Sequence, residues 1–178
     1  MQNQRLRQIL FLALILLVAM VALAFHIGAQ RPEEAELIVP AADITLTQPV
    51  TIYVYDARLD TDASGNVLCS EKGVVPVPRS IPKTETPLRA AIELLLSDPL
   101  TEDERARGLT SEFPLQGVRL DDVAISGGTA TIVLRDPDHK LSGGSCRVGV
   151  MRAQLAATAK EFKDVEEVRF APEGVLEP

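Results

Sequence analysis

Histidine and cysteine are scarce in this 178-residue chain, with two of each. His26 adjoins a long apolar run, so the polar part holds only His139, which cannot supply a two-histidine metal site. Neither Cys69 nor Cys146 sits in a C-x-x-C pair, so dithiol redox catalysis and structural zinc both lack ligands. The G-x-S-x-G turn, the Walker loop and the dinucleotide fingerprint are all missing, and so are internal repeats and low-complexity tracts. Positive charge is also in deficit: 18 Lys and Arg face 25 Asp and Glu, for a net charge of -7. Arg5 and Arg7 are the only charges before Arg31, so the rest of the chain is more acidic still. Such a surface repels nucleic-acid phosphate and anionic lipid headgroups, and favours solubility and weak attraction for cations.

The longest feature present is apolar. From Ile9 to Phe25 every residue is uncharged, and extension to Ala29 adds only His26 as a polar side chain. About 21 helical residues span roughly 31 Å, the thickness of a bilayer's hydrocarbon core. Arg5 and Arg7 precede the run, and Glu33 and Glu34 follow Arg31. The positive-inside bias then predicts residues 1–8 in the cytoplasm, a transmembrane anchor over 9–29 and the rest outside, as a single-pass cell-membrane protein. The competing reading is a cleaved signal peptide with Ala22-Leu23-Ala24 as its small-residue site, although the run is long for one. No Cys follows the run in position for lipidation.

Residues 30–49 read as a linker, interrupted by Pro32, Pro40 and Pro49 and solvated by Glu33, Glu34 and Glu36. In 50–55 Val50, Ile52 and Val54 alternate as in a half-buried strand. Residues 73–81 are extended, and Pro76 and Pro78, which cannot donate to a ladder, place that strand at an edge or make it irregular. A helix opens with Thr86 as N-cap and Pro87 at its first turn, and Leu88, Ala91, Ile92, Leu95 and Leu96 form its buried stripe. Thr101 and Glu104 have capping-box spacing for a short helix that stops at Gly108.

Residues 118–125 and 129–135 predict a hairpin turning on Gly127-Gly128. A helix over 145–162 follows, with Val148, Met151, Leu155, Ala159 and Phe162 inward, and then a strand at 165–170. The order β-β-α-(α)-β-β-α-β predicts an α+β domain over 50–176, with two main helices on one face of a mixed, mostly antiparallel sheet.

Several residues carry candidate chemistry. The stretch D-T-D-A-S-G-N-V-L-C-S-E, residues 60–71, has the spacing of an EF-hand calcium loop. Asp60, Asp62 and Ser64 would offer side-chain oxygens, Asn66 its carbonyl and Glu71 a bidentate carboxylate. Against this, a strand rather than a helix precedes the loop, a cysteine lies inside it and Leu68 takes a position that is usually polar. The plain alternative is a solvated loop of turn-forming residues. Asp136 to His139 could hold a cation or an acid/base pair, or be a loop; Ser142 to Ser145 could be an anion nest or a helix cap. Arg147 and Arg152 read as helix-surface residues. An even cysteine count in an exported domain predicts one disulfide, closing a loop of roughly 80 residues worth about 4 kcal/mol; the alternative is two separate buried thiols.

Taken together, V-V-P-V-P-R-S-I-P, T-P-L-R-A-A-I-E-L-L-L-S-D-P, T-E-D-E-R-A-R-G-L-T-S, I-S-G-G-T-A-T-I-V-L, S-C-R-V-G-V-M-R-A-Q-L-A-A-T and V-E-E-V-R-F resemble the GerMN domain, in order and at similar spacing across roughly residues 50–176. The resemblance implies an extracytoplasmic α/β module of membrane- or lipid-anchored bacterial proteins. In spore formers such proteins take part in sporulation and germination, assembling with other envelope proteins. It also implies that Cys69 pairs with Cys146, and it brings no catalytic residues. This chain has one copy of the module where the spore-former pattern has two.

The expectation is therefore a non-catalytic interaction or envelope-assembly domain, with the membrane and envelope proteins or cell-wall components as partners, no nucleic acid and no cofactor. Calcium binding through residues 60–71 is the first alternative. A cell-wall hydrolase is the second, and it lacks a readable carboxylate pair.

Overall fold

The computed structural model describes residue 7, residues 14–23 and residues 46–177. The chain divides into two units, Met1–Asp43 and Ile44–Pro178. In the first unit residues 14–23 form a helix, α1. These ten residues extend about 15 Å, half of a bilayer's hydrocarbon core. Among the described residues no helix is long and apolar enough to cross a membrane. This finding corrects the expected anchor over 9–29, and with it the single-pass cell-membrane location and the N-terminal membrane contact. Residues 9–13 and 24–29 of that run, and 30–45 of the expected linker, lie outside the described residues.

The second unit begins with β1 (Thr47–Tyr55), which runs antiparallel to β2 (Val74–Pro82) with Ile52 opposite Val77. Next come α2 (Pro87–Ser97), α3 (Glu102–Ala106), β3 (Arg119–Ser126), β4 (Thr129–Arg135), α4 (Ser145–Lys160) and β5 (Glu167–Ala171). Alternation seats Val50, Ile52 and Val54 of β1 inward. The helical period does the same for Leu88, Ala91, Ile92, Leu95 and Leu96 of α2. The Thr101–Glu104 capping box closes in both directions at the start of α3. Gly127 and Gly128, both with positive φ, turn β3 into β4. Thr86 holds the N-cap position of α2 without a side-chain cap bond; instead its amide donates to the Thr84 hydroxyl.

The expectation of one mixed sheet is also corrected. The strands form two sheets: β1–β2, and β3–β4–β5 with β3–β4 antiparallel and β4–β5 parallel. Both main helices join the two sheets: α4 packs against β1 and β5, and α2 packs against β1 and β3. The inner face of α4 carries Val148, Met151, Leu155 and Ala159, but also fully buried Gln154 and Thr158. These polar groups serve the edge of β1 that β2 leaves open. The Tyr53 amide donates to Thr158 Oγ1 at 3.0 Å, and Gln154 Nε2 donates to the Tyr53 carbonyl at 3.2 Å. Gln154 also accepts from the Glu112 amide at 3.0 Å and donates to Ser111 Oγ at 3.0 Å. Two side chains of a helix thus take the place of a neighbouring strand, and one core, with Ile52, Ile92, Ile132, Met151 and Leu155, fills the space between the sheets.

An ion network ties the end of β2 to the helices. Arg79 Nε donates to Asp98 at 2.8 Å, and its other guanidinium nitrogens reach both oxygens of buried Glu104 at 2.7 and 2.9 Å. The bidentate Arg79 contact holds the Glu104 carboxyl down at about 2, against the opposing effect of burial. Because the folded-state value is depressed, this stabilisation is complete above pH ~4.5 and is lost as pH falls toward ~2.

Two predictions follow from the buried polar groups. Gln154→Leu leaves the Tyr53 carbonyl and the Glu112 amide without partners, and urea unfolding is expected to show a loss of roughly 2–4 kcal/mol. Glu104→Gln is expected to lower the melting temperature at pH 7 and to shrink that deficit steadily below pH ~4.5, as the wild-type carboxylate itself becomes protonated.

Candidate functional site

The segment that leaves β1 forms a short bridged loop, stapled to α4. Thr61 pairs with Val67, and Gly65, at φ +85°, completes the turn between them. Asp60, only 1% exposed, closes the base of the loop. Its carboxylate accepts from the Ser70 amide at 2.5 Å, the Ser70 hydroxyl at 2.7 Å and the Tyr55 hydroxyl at 2.5 Å. The Tyr55 bond leads in holding the Asp60 carboxyl below its ordinary value. Burial, reinforced by Asp60, pushes the Tyr55 phenol up to about 12. Nearby, Asp56 caps the turn that follows β1 by accepting from the Arg58 amide and guanidinium.

This geometry bears directly on the calcium reading. Asp62 turns to its own loop, accepting from the amides of Ser64 and Asn66 and from Asn66 Nδ2 at 2.8 to 2.9 Å. Asp60 turns inward instead, Ser64 and Asn66 are exposed, and Glu71 lies beyond the closed base in a 3-10 turn, Glu71–Gly73. Asp60, Asp62 and Glu71 are therefore not brought to a common point. Among the described residues no group of three or more His, Cys, Asp or Glu could hold a metal. Asp60 is instead engaged by three donors from Tyr55 and Ser70.

Cys69 joins Cys146, the second residue of α4, in a disulfide with a Cα–Cα distance of 5.0 Å. The staple brings the backbone of the loop onto the helix so closely that only glycine fits at 149: a Cβ there would stand 2.9 Å from the Cys69 carbonyl oxygen. The loop, α4 and β5 then bound a groove of about 370 Å³. Cys69, Ser70 and Glu71 form one wall, and Val168 and Phe170 of β5 form the other. Ala153 and Ala156 make the floor, with Arg152 and Lys160 along it. The Arg152 guanidinium lies 5.1 Å over the Phe170 ring and donates to the Leu176 carbonyl at 3.2 Å. Its stacking and its carbonyl contact give this arginine a fixed position.

The other residues singled out from the sequence are dispersed. Asp136 accepts from the amides of Lys140 and Leu141 at 2.8 and 2.7 Å, which shapes the turn that also carries His139. They line a second cleft, of about 270 Å³, with Ser142 and the C-terminal residues Pro172 to Leu176. Arg147 is not a free surface residue. It bridges Glu112 at 3.0 Å and holds the carbonyls of Lys140 and Ser142, so the Ser142–Ser145 segment is tied down by its carbonyls. Sequence reasoning missed the groove, whose floor is built of alanine and glycine. The signal that could have found it is Gly149-x3-Ala153-x2-Ala156, a line of small residues on one face of a helix.

A family model described as "Germane: Sporulation and spore germination" matches residues 51–176. Among solved structures, the tandem GerMN domains of the sporulation protein GerM from Bacillus subtilis are similar at 22% identity and a TM-score of 0.53. That match covers 77% of this chain and 43% of the other, so this chain spans less than half of the tandem structure's length. The first GerMN domain of the same protein aligns at 17% identity with a TM-score of 0.49, covering 72% of this chain and 84% of that one. At these identities the likeness is one of fold. No curated protein sequence matches the chain.

The staple makes its own prediction. Gly149→Ala is expected to cost about 1–3 kcal/mol by forcing the Cys69 carbonyl off the helix. In a Cys69→Ser, Cys146→Ser background, where the loop is free to move away, denaturant titration is expected to find most of that cost gone.

Proposed function

Because the chain belongs to the Germane family of sporulation and spore-germination domains across residues 51–176, we propose that its folded unit is a non-catalytic protein-interaction module whose working surface is the groove beside the disulfide. The observation that carries this reading is the composition of the groove: an apolar floor and wall from Ala153, Ala156, Val168 and Phe170, rimmed by the charges of Arg152, Lys160 and Glu71. An apolar centre with a polar rim is the usual anatomy of a protein contact. A disulfide that fixes one wall before binding reduces the ordering cost of association.

The use made of the acidic side chains supports the same reading over a hydrolase. Asp56, Asp60, Glu104 and Asp136 are each committed to hydrogen bonds that shape turns, caps or strand ends. Glycoside hydrolysis needs two carboxyl groups facing each other across a substrate cleft.

The test is site-specific photo-crosslinking in the native host. A photoreactive residue at Ala156 is expected to give a discrete protein adduct that disappears when Lys160→Glu is added, while the same probe at exposed Asp121 gives none. Adducts from Asp121 alone, or clearing of purified wall material by the isolated chain, would count against the proposal.

A further inference from the structure

A sheet edge offers unpaired backbone to another chain unless something blocks it, and the two sheets here present four edges, at β1, β2, β3 and β5. Three are blocked. At β1 the Tyr53 amide and carbonyl are taken by Thr158 and Gln154, and Tyr55 exchanges both backbone bonds with Thr110. Since the Tyr53 amide points at α4, the Tyr53–Pro76 pair is a non-bonded one, and the nitrogen of Pro76 faces outward. Alternation turns Pro78 and Pro82 the same way, so the outer edge of β2 lacks those donors. At β3 the register breaks between Leu120 and Asp122, and Arg119, Asp121 and Asp122 crowd that end with charge.

Edge β5 differs. Glu167 to Ala171 run in unbroken register with β4 and contain no proline. The Glu167 amide bonds to the Gly128 carbonyl, so the strand's alternation turns the amides of Val168 and Phe170 outward. Among the described residues neither amide donates to a side chain or to backbone outside the sheet. The side chains of Val168 and Phe170 line the groove, so the open edge and the groove are adjacent. A strand added to this edge would lay alternate side chains over Ala153 and Ala156, within reach of Arg152 and Lys160. Lys160 makes no ion pair among the described residues. In a chain of net charge -7 the groove carries two cations against the single carboxylate of Glu71, so its charge is opposite to that of the molecule.

We infer that β5 is a docking edge for an extended acidic segment of a partner protein, which adds as a fourth strand to the β3–β4–β5 sheet and sets its carboxylates against Arg152 and Lys160. The inference rests on the interaction reading above and specifies its chemistry. Main-chain bonds to β5 supply affinity, and the alternate side chains over the groove supply selectivity.

The experiment uses the full chain and a short capped peptide of alternating valine and glutamate, with a valine–lysine peptide as its control. Amide hydrogen exchange is read by nuclear magnetic resonance. The valine–glutamate peptide is expected to slow exchange at Val168 and Phe170, and the valine–lysine peptide to bind roughly tenfold more weakly, the loss expected for two surface ion pairs. The Lys160→Glu variant, which leaves the contacts of Arg152 with Phe170 and the Leu176 carbonyl in place, is expected to abolish the preference. Equal binding of both peptides, protection at β2 or β3 instead, or unchanged exchange at Val168 and Phe170 would each overturn the inference. Crosslinking at Ala156 with unchanged β5 amides would overturn it while leaving the interaction reading intact; absence of crosslinking at Ala156 would remove that reading first.

Discussion

The domain depends on how α4 meets β1. A two-stranded sheet is marginal in water because too much of its backbone stays exposed. Here the exposed edge of β1 is covered by a helix, and the contact is polar: Thr158 and Gln154 take the amide and carbonyl of Tyr53. The same Gln154 reaches the chain at Ser111 and Glu112, which lead toward β3. One side chain thus ties α4 both to the edge of β1 and to the segment at Ser111 and Glu112. Such groups define geometry more sharply than apolar packing does, because a buried amide that misses its partners forfeits their bonds and its hydration together.

With α4 so placed, the groove follows. The disulfide holds the bridged loop at the start of the helix, Gly149 lets it approach, and β5 lies along the other side. Asp60 keeps the base of that loop closed through Ser70 and Tyr55, so the staple acts on a preformed loop rather than a slack one. The wall of the groove is consequently set by covalent and hydrogen-bonded constraints that exist before any partner arrives. This is the preorganisation an interaction surface needs.

Much of the domain was legible in the sequence because local rules and burial agree there. The alternation of Val50, Ile52 and Val54, the stripe of α2, the Thr101–Glu104 box and the Gly127–Gly128 turn are short-range signals, and each element formed near its expected bounds. Pro76 and Pro78 marked an edge strand for a reason the structure retains: their nitrogens face away from β1. The division into two sheets was not legible. It depends on buried Gln154 and Thr158, and a periodicity that counts only apolar residues passes over both. The calcium spacing from Asp60 to Glu71 was real as a pattern, yet Asp60 is turned inward by Ser70 within the pattern and by Tyr55 outside it. The apolar run near the N-terminus is a compositional fact, and only residues 14–23 of it are among the described residues.

The central claim is that α4 serves as the missing neighbour of β1. Native-state hydrogen exchange at the Tyr53 amide, compared between the wild-type chain and Thr158→Val, tests it most directly. The account predicts that in the wild type this amide exchanges only through global unfolding, as slowly as the core amides of β4, and that the variant opens it to local exchange while β4 stays protected. A Tyr53 amide that exchanges rapidly in the wild type, or that is unaffected by the substitution, would contradict it.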